Sequence, residues 1–303
     1  MDILFNNPIA QMDGPNFLIF YGLVIAITAG WSAMILRDNT EDSPRLSVPP
    51  RPDPYEIAYL RGNVKQVLEL ICFELIQKGY LEVKGSVLRQ VVSHPQLSGV
   101  KPIEQKVFDS FKNYHNLKYI ISNQSLKKEL EEHCLFYQKL LSNNQLINND
   151  KAKAKAGAVI TNSALIIFGL GGYKLLSALA RGYYNVGYLI IMSLLAMFLL
   201  VGIYNKAQAH QTNKGKRYLE QLKQAFQGLK TQLTNDKESE SDYYWKILVA
   251  LFGAEVLVGS YYESYGQIFA KVTAPKSSSS SSSCAGGGCG GGCGGGCGGC
   301  GGE

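Results

Sequence analysis

Three stretches of this 303-residue sequence contain no charged residue at all, and that absence organises everything else. Residues 17–36, 156–173 and 183–205 each run for about the length that crosses a bilayer as a helix, at about 1.5 Å per residue against a hydrocarbon core of about 30 Å. Residues 1–16 contain no Lys or Arg, so the first run lacks the basic flank of a cleaved signal peptide and is expected to be a retained transmembrane helix. Other absences exclude chemistry. The sequence holds no phosphate-binding loop, no H-E-x-x-H, no G-x-S-x-G and no dinucleotide fingerprint. His94, His115, His133 and His210 are scattered, and no catalytic residue or bound cofactor is evident. A basic excess is missing where nucleic-acid binding would need it. Residues 40–150 carry fourteen Lys or Arg against thirteen Asp or Glu, although the whole chain stands at +6. No nucleic acid is therefore expected as a partner.

What is present divides the chain into eight parts. Residues 1–16 form an N-terminal segment and 17–36 the first transmembrane helix. A proline-rich linker over 37–52 reads as an extended path that holds the next part off the membrane. A soluble module follows over 53–150, then transmembrane helices over 156–179 and 183–205. Residues 206–272 form a helical segment, and 273–303 a Ser/Gly/Cys-rich tail expected to be disordered. Within 247–262 the chain is again apolar, but Glu255 would cost about 2.5–3.5 kcal/mol in mid-bilayer, so a buried or interfacial soluble helix is expected there. Gly169, Gly171 and Gly172 in the second span suit close helix approach.

The module opens at Asp53-Pro54, a helix cap followed by a proline in the first turn, and PYEIAYLRG runs to Gly62. Val64, Val67, Leu68, Ile71, Leu75 and Ile76 mark one buried stripe of a second helix, ended by Gly79. Gly85-Ser86 signals a hairpin. A third helix carries Ile103, Val107, Phe108 and Phe111, and a fourth, over about 124–146, carries Leu126, Leu130, Cys134, Tyr137 and Leu141. Helix, helix, hairpin, helix is a winged-helix-like order. The fold class is thus a mainly α membrane protein with three transmembrane helices, a small α+β winged-helix-like module and a disordered tail. Cys72 and Cys134 read as buried small hydrophobes. Glu56 and Arg61 read as a capping charge and a surface pair. After the third span, Leu222, Phe226, Leu229 and Leu233 form a helix seam expected to pack within the chain.

Ten Lys or Arg flank the spans on the module's side and only Lys174 and Arg181 the other, which places the N-terminus outside and the module in the cytosol. In the tail, Cys284, Cys289, Cys293, Cys297 and Cys300 repeat through glycine. Thiolates at these spacings could hold Zn²⁺ or Cu(I), could undergo covalent or redox chemistry, or could simply ride on a flexible tail.

The Asp53–Gly62 sequence D-P-Y-E-I-A-Y-L-R-G, the Leu179-Ala180-Arg181-Gly182 turn and the Gly/Cys-rich tail resemble an uncharacterised family of bacterial membrane proteins. The family's soluble domain opens with this motif and a helix pair, and paired membrane spans follow. In the family, basic residues and proline often follow that Arg-Gly; here Tyr183-Tyr184 does. The resemblance implies an architecture and no activity. The expected function is a membrane-anchored interaction or scaffold protein that meets the lipid bilayer and an unknown protein partner. The alternatives are a metal-handling or redox accessory protein working through the tail, and a membrane enzyme.

Overall fold

A computed structural model describes residues 12–40, 44, 46–85, 87–113, 116–180, 182, 187–228 and 242–273. Outside them lie the five tail cysteines, His115, Ser86, Arg45, Arg181, Tyr183-Tyr184, Leu229 and Leu233. The described chain is mainly helical with one two-stranded sheet.

Helix α1 (Gly14–Ile35) begins with Pro15 in its first turn, where a missing N–H is harmless. The module follows as α2 (Pro54–Gly62), α3 (Val64–Gln77), strands β1 (Leu81–Lys84) and β2 (Val87–Gln90), α4 (Pro102–Asn113), α5 (Leu117–Ser122) and α6 (Gln124–Asn143). The strands pair antiparallel with Val83 opposite Leu88, turning at Gly85 with φ +63°. Then come α7 (Asp150–Ala180), α8 (Gly187–Ala207), α9 (Asn213–Ala225), α10 (Asp242–Phe252) and α11 (Glu263–Thr273).

Helices α1, α7 and α8 are long and apolar enough to cross a membrane. They pack on one another around Phe17, Tyr21, Ile25, Ile167, Leu189, Ala196 and Leu200. Their outer faces stay apolar and exposed, with Phe198 74% and Leu165 75% accessible. A helix apolar all round needs a nonpolar surrounding. Helix α7 starts at Asp150, so Lys151, Lys153 and Lys155 ride on its first turns rather than in a loop before it. Tyr21 is fully buried; its O–H donates to the Ile167 carbonyl at 3.2 Å and lies 3.1 Å from Ser193 Oγ. A Cβ on Gly171 would stand 2.7 Å from the Tyr21 hydroxyl, so glycine there makes room for this contact.

The module's core draws on both sides of the span pair. Residues of α2, α3, α4 and α6 share one cluster with Leu219 and Leu222 of α9 and with Ile247–Leu251 of α10, the last five all without accessible surface. Residues 247–251, 254, 256 and 257 are thus buried in the module while Val258 and Tyr261 stay exposed, and the stretch 247–262 does not form one helix. Gly253, at φ +87°, breaks α10, and a 3-10 turn over Ala254–Leu257 precedes α11.

The ends predicted from sequence fall where the physics puts them. Asp53 accepts from Tyr55 N at 2.9 Å, and Gly79 takes φ +74° after α3. Between α2 and α3 the cap is Asn63, at φ 70° and ψ −163°, a conformation that is costly for any residue but glycine, and its side chain accepts from Val64 N.

Candidate functional site

The motif helix α2 lies at the centre of the module, and each of its polar side chains meets a different neighbour. Asp53, besides capping, accepts from the Tyr137 hydroxyl at 3.0 Å. Tyr55 donates to Glu74 Oε2 at 2.6 Å and faces Glu104 Oε1 at 3.0 Å. Two buried carboxylates this close repel unless cations answer them. Lys78 reaches Glu74 at 3.0 Å and Glu104 at 2.8 Å, and Lys246 of α10 reaches Glu74 at 2.7 Å. Lys101 adds its charge from 3.7 Å to Glu104 and sits 4.3 Å over the Tyr55 ring. Burial by itself would raise the Glu74 carboxyl, but hydrogen bonds from Lys246, Tyr55 and Lys78 outweigh it and bring it down to about 2. Burial and the two facing carboxylates push the Tyr55 phenol far above its ordinary value, so it stays protonated and donates.

Arg61, at the far end of α2, does not pair with Glu56 on the surface. Its guanidinium is buried and meets Glu69 of α3 at 2.5 Å, Gln66 at 2.6 Å and the Val249 carbonyl of α10 at 2.9 Å. Glu69 also accepts from Ala254 N at 2.6 Å. The fit is tight: a Cβ on Gly253 would stand 2.8 Å from Arg61 Nη1, and the chain's φ there suits glycine alone. Burial raises Glu69 and lowers Arg61, each opposed by the partner's charge. Arg61 and Glu69 are only eight positions apart; what sequence reasoning missed is that both are buried, because the wall that covers them comes from the far end of the chain. Arg61 is read out by Val249, 188 positions away.

Glu56 instead lines a small cleft of about 260 Å³ with Pro49, Arg51, Asp53 and Tyr218. Burial and the neighbouring Asp53 raise its carboxyl.

A second feature, absent from any motif, joins the module to the apolar helices. Residues 208–213, between α8 and α9, form a hydrogen-bonded collar. Gln211 donates to the Leu60 and Arg61 carbonyls at 2.9 and 3.0 Å, satisfying the C-terminal end of the motif helix. His210 Nε2 lies 2.8 Å from the Tyr59 carbonyl, which can only accept, so this nitrogen carries the hydrogen. Burial lowers His210, which favours the neutral ring. Asn148 donates to Ala209, and Thr212 to Gln145. Asp38, just after α1, accepts from Asn213 N at 2.6 Å. Gly215 packs so closely on the Leu146 carbonyl that a Cβ would overlap it. The collar ties α2 and the start of α7 to the first residues of the proline-rich linker, Asp38 and Thr40.

Cys72 and Cys134 are buried, and burial raises both thiols, Cys134 to about 12. Neither is a thiolate at neutral pH. Among the described residues no group of three or more His, Cys, Asp or Glu is placed to hold a metal ion. The tail positions Cys284, Cys289, Cys293, Cys297 and Cys300 lie outside the described residues.

No family model, curated protein or solved structure matches this chain. Tyr55, Arg61, Glu69, Glu74 and Glu104 are consumed in holding α2, α3, α4 and α10 together, and what they do is fix one arrangement of those helices.

Proposed function

We propose that this chain is an integral membrane protein whose three spans anchor a rigid interaction module, with the N-terminus outside and the module and thiol-rich tail in the cytosol. The observation that carries this reading is the contrast between the motif's inward polar groups and the module's outward aromatic ones. Asp53, Tyr55 and Arg61 are all partnered inside, whereas Phe136 is 68% and Tyr261 93% exposed. Exposed aromatics are typical anchors of protein interfaces. The order α2, α3, β1–β2, α4 supports a winged-helix-like module, and such a fold by itself does not specify nucleic acid. Ten basic residues against two support the orientation.

The test is affinity capture from native membranes with full-length protein, Phe136→Glu, and protein lacking residues 284–300. The expected result is a partner held by the full-length chain and lost with Phe136→Glu. Equal recovery from all three, at background, would remove the interaction reading. A metal-handling role for the tail predicts a different result: Zn or Cu content that falls when residues 284–300 are removed. Labelling of the two termini on one face of the membrane would overturn the orientation.

A further inference from the structure

The collar roofs a cavity of about 810 Å³ at the module-side ends of all three apolar helices. Its composition is two-sided. Ile35 and Leu36 from the end of α1 and Phe198, Leu199 and Ile203 from α8 supply apolar wall, and Phe198 and Leu199 continue the exposed apolar face of α8. Arg37, Lys155, Lys206 and Lys216 supply four cations against a single acid, Asp38. Asp38 is already engaged by Asn213 N and Thr40 N. None of the four cations forms an ion pair among the described residues. Each comes from a different part of the chain: the segment after α1, and helices α7, α8 and α9. Four like charges converge only in the tertiary structure, and they lie where the apolar helices give way to polar residues, which is the depth of lipid headgroups.

We propose that this cavity is a binding site for an anionic phospholipid, with the headgroup phosphate among Lys155, Lys206, Arg37 and Lys216 and the upper acyl chain along Phe198 and Ile203. A free inorganic anion would leave the apolar wall unused, and a zwitterionic lipid would leave the net positive charge unanswered. The volume lies within the range of small-ligand sites, about 300–1,000 Å³. Gln211 and Asn213 of the collar and its partner Asn148 also line the cavity, so an occupied site would touch the contacts that join module and spans. The inference rests on the membrane reading above.

The experiment uses full-length protein purified with native lipid, exchanged into phosphatidylcholine nanodiscs doped with phosphatidylglycerol or cardiolipin, and counts retained lipid by native mass spectrometry. The expected result is retention of the anionic lipid at least about tenfold above phosphatidylcholine, reduced about tenfold by the K155Q/K206Q double variant and little changed by K151Q/K214Q, which removes two charges nearby but outside the cavity. Equal retention of anionic and zwitterionic lipid by the wild type overturns the proposal, whatever the variants do. So does an equal loss in both double variants, which would mean diffuse attraction to the surface. Displacement by inorganic phosphate regardless of acyl chain would assign the site to a free anion and also overturn it. Alkaline washing of native membranes separates the two claims. Release into the supernatant sinks the membrane reading itself, while protein that stays in the pellet yet shows no lipid preference sinks only the site.

Discussion

Among the described residues, the buried polar ones fall into two sets that hardly overlap in chemistry. Between the apolar helices they are serines: Ser32, Ser163 and Ser177. In the module they are Glu69, Glu74, Glu104 and Thr212. On the membrane reading proposed above, the difference follows from what surrounds each region. The module folds out of water, so burial of Phe73, Phe108, Leu248 and their neighbours supplies a large apolar gain that can carry a few desolvated charges, provided each is paired. Helices in lipid gain nothing from hiding apolar surface from one another, so close packing and short hydroxyl contacts must hold them. Ser32 and Ser163 meet at 2.7 Å, and Tyr21 reaches across to α7 where Gly171 leaves space.

That contrast can be broken most forcefully in the module. Arg61→Ala leaves Glu69 buried without its cation and is expected to cost about 3–5 kcal/mol, read as thermal unfolding in mild detergent. The double change Arg61→Met with Glu69→Leu should recover part of that loss; recovery of none would mean the site is held by shape and not by charge. Next in size is the collar. Gly215→Ala sets a Cβ against the Leu146 backbone and should cost about 3 kcal/mol, with increased proteolysis between module and spans as the second readout.

A smaller effect sharpens the electrostatic side. Glu74 is held at about 2 from an ordinary 4.5. A carboxyl depressed in the folded state contributes stability above its unfolded value and loses it as pH falls through the folded one. Stability of the module should therefore decline from pH 4.5 towards pH 2, and Lys246→Met should flatten that decline. Glu69, raised by burial, acts in the opposite sense: its contribution is complete below 4.5 and falls as pH climbs past its raised value. Unchanged acid sensitivity in Lys246→Met would show that Glu74 is not the group being titrated. The smallest expected effect lies between the spans. Tyr21→Phe removes the hydroxyl's contacts with the Ile167 carbonyl and Ser193 Oγ and should cost about 0.6 kcal/mol for each, the average for such contacts in membrane bundles. A loss as large as that of Arg61→Ala would erase the distinction between the two regions.

Much of the module was readable from residue order. The cap at Asp53, the stop at Gly62 and the turn at Gly85 depend on neighbours within a few positions, and the structure places all three as read; the single stripe read on α3 is too narrow, since every residue from Val67 to Leu75 is buried. The partners of the motif were not readable. Arg61 invited pairing with Glu56 one turn away, but the helix face that carries Arg61 turns inward onto α3 and α10, and the desolvated guanidinium needs Glu69 and the Val249 carbonyl there. The collar carries no motif either, since Gln211 and Asn148 act through backbone groups that any sequence would offer.

By itself the sequence determined the three apolar helices, because hydrophobic length and the absence of charge are properties of a continuous stretch of chain. It also determined the local starts and stops of the module's helices, for the same reason. Only the tertiary structure decided that residues 242–269 complete the module's core, that the motif's charges face inward, and that Arg37, Lys155, Lys206 and Lys216 surround one cavity. Those outcomes depend on groups far apart in sequence meeting where water is scarce, and a buried charge takes whichever partner the packing brings within reach.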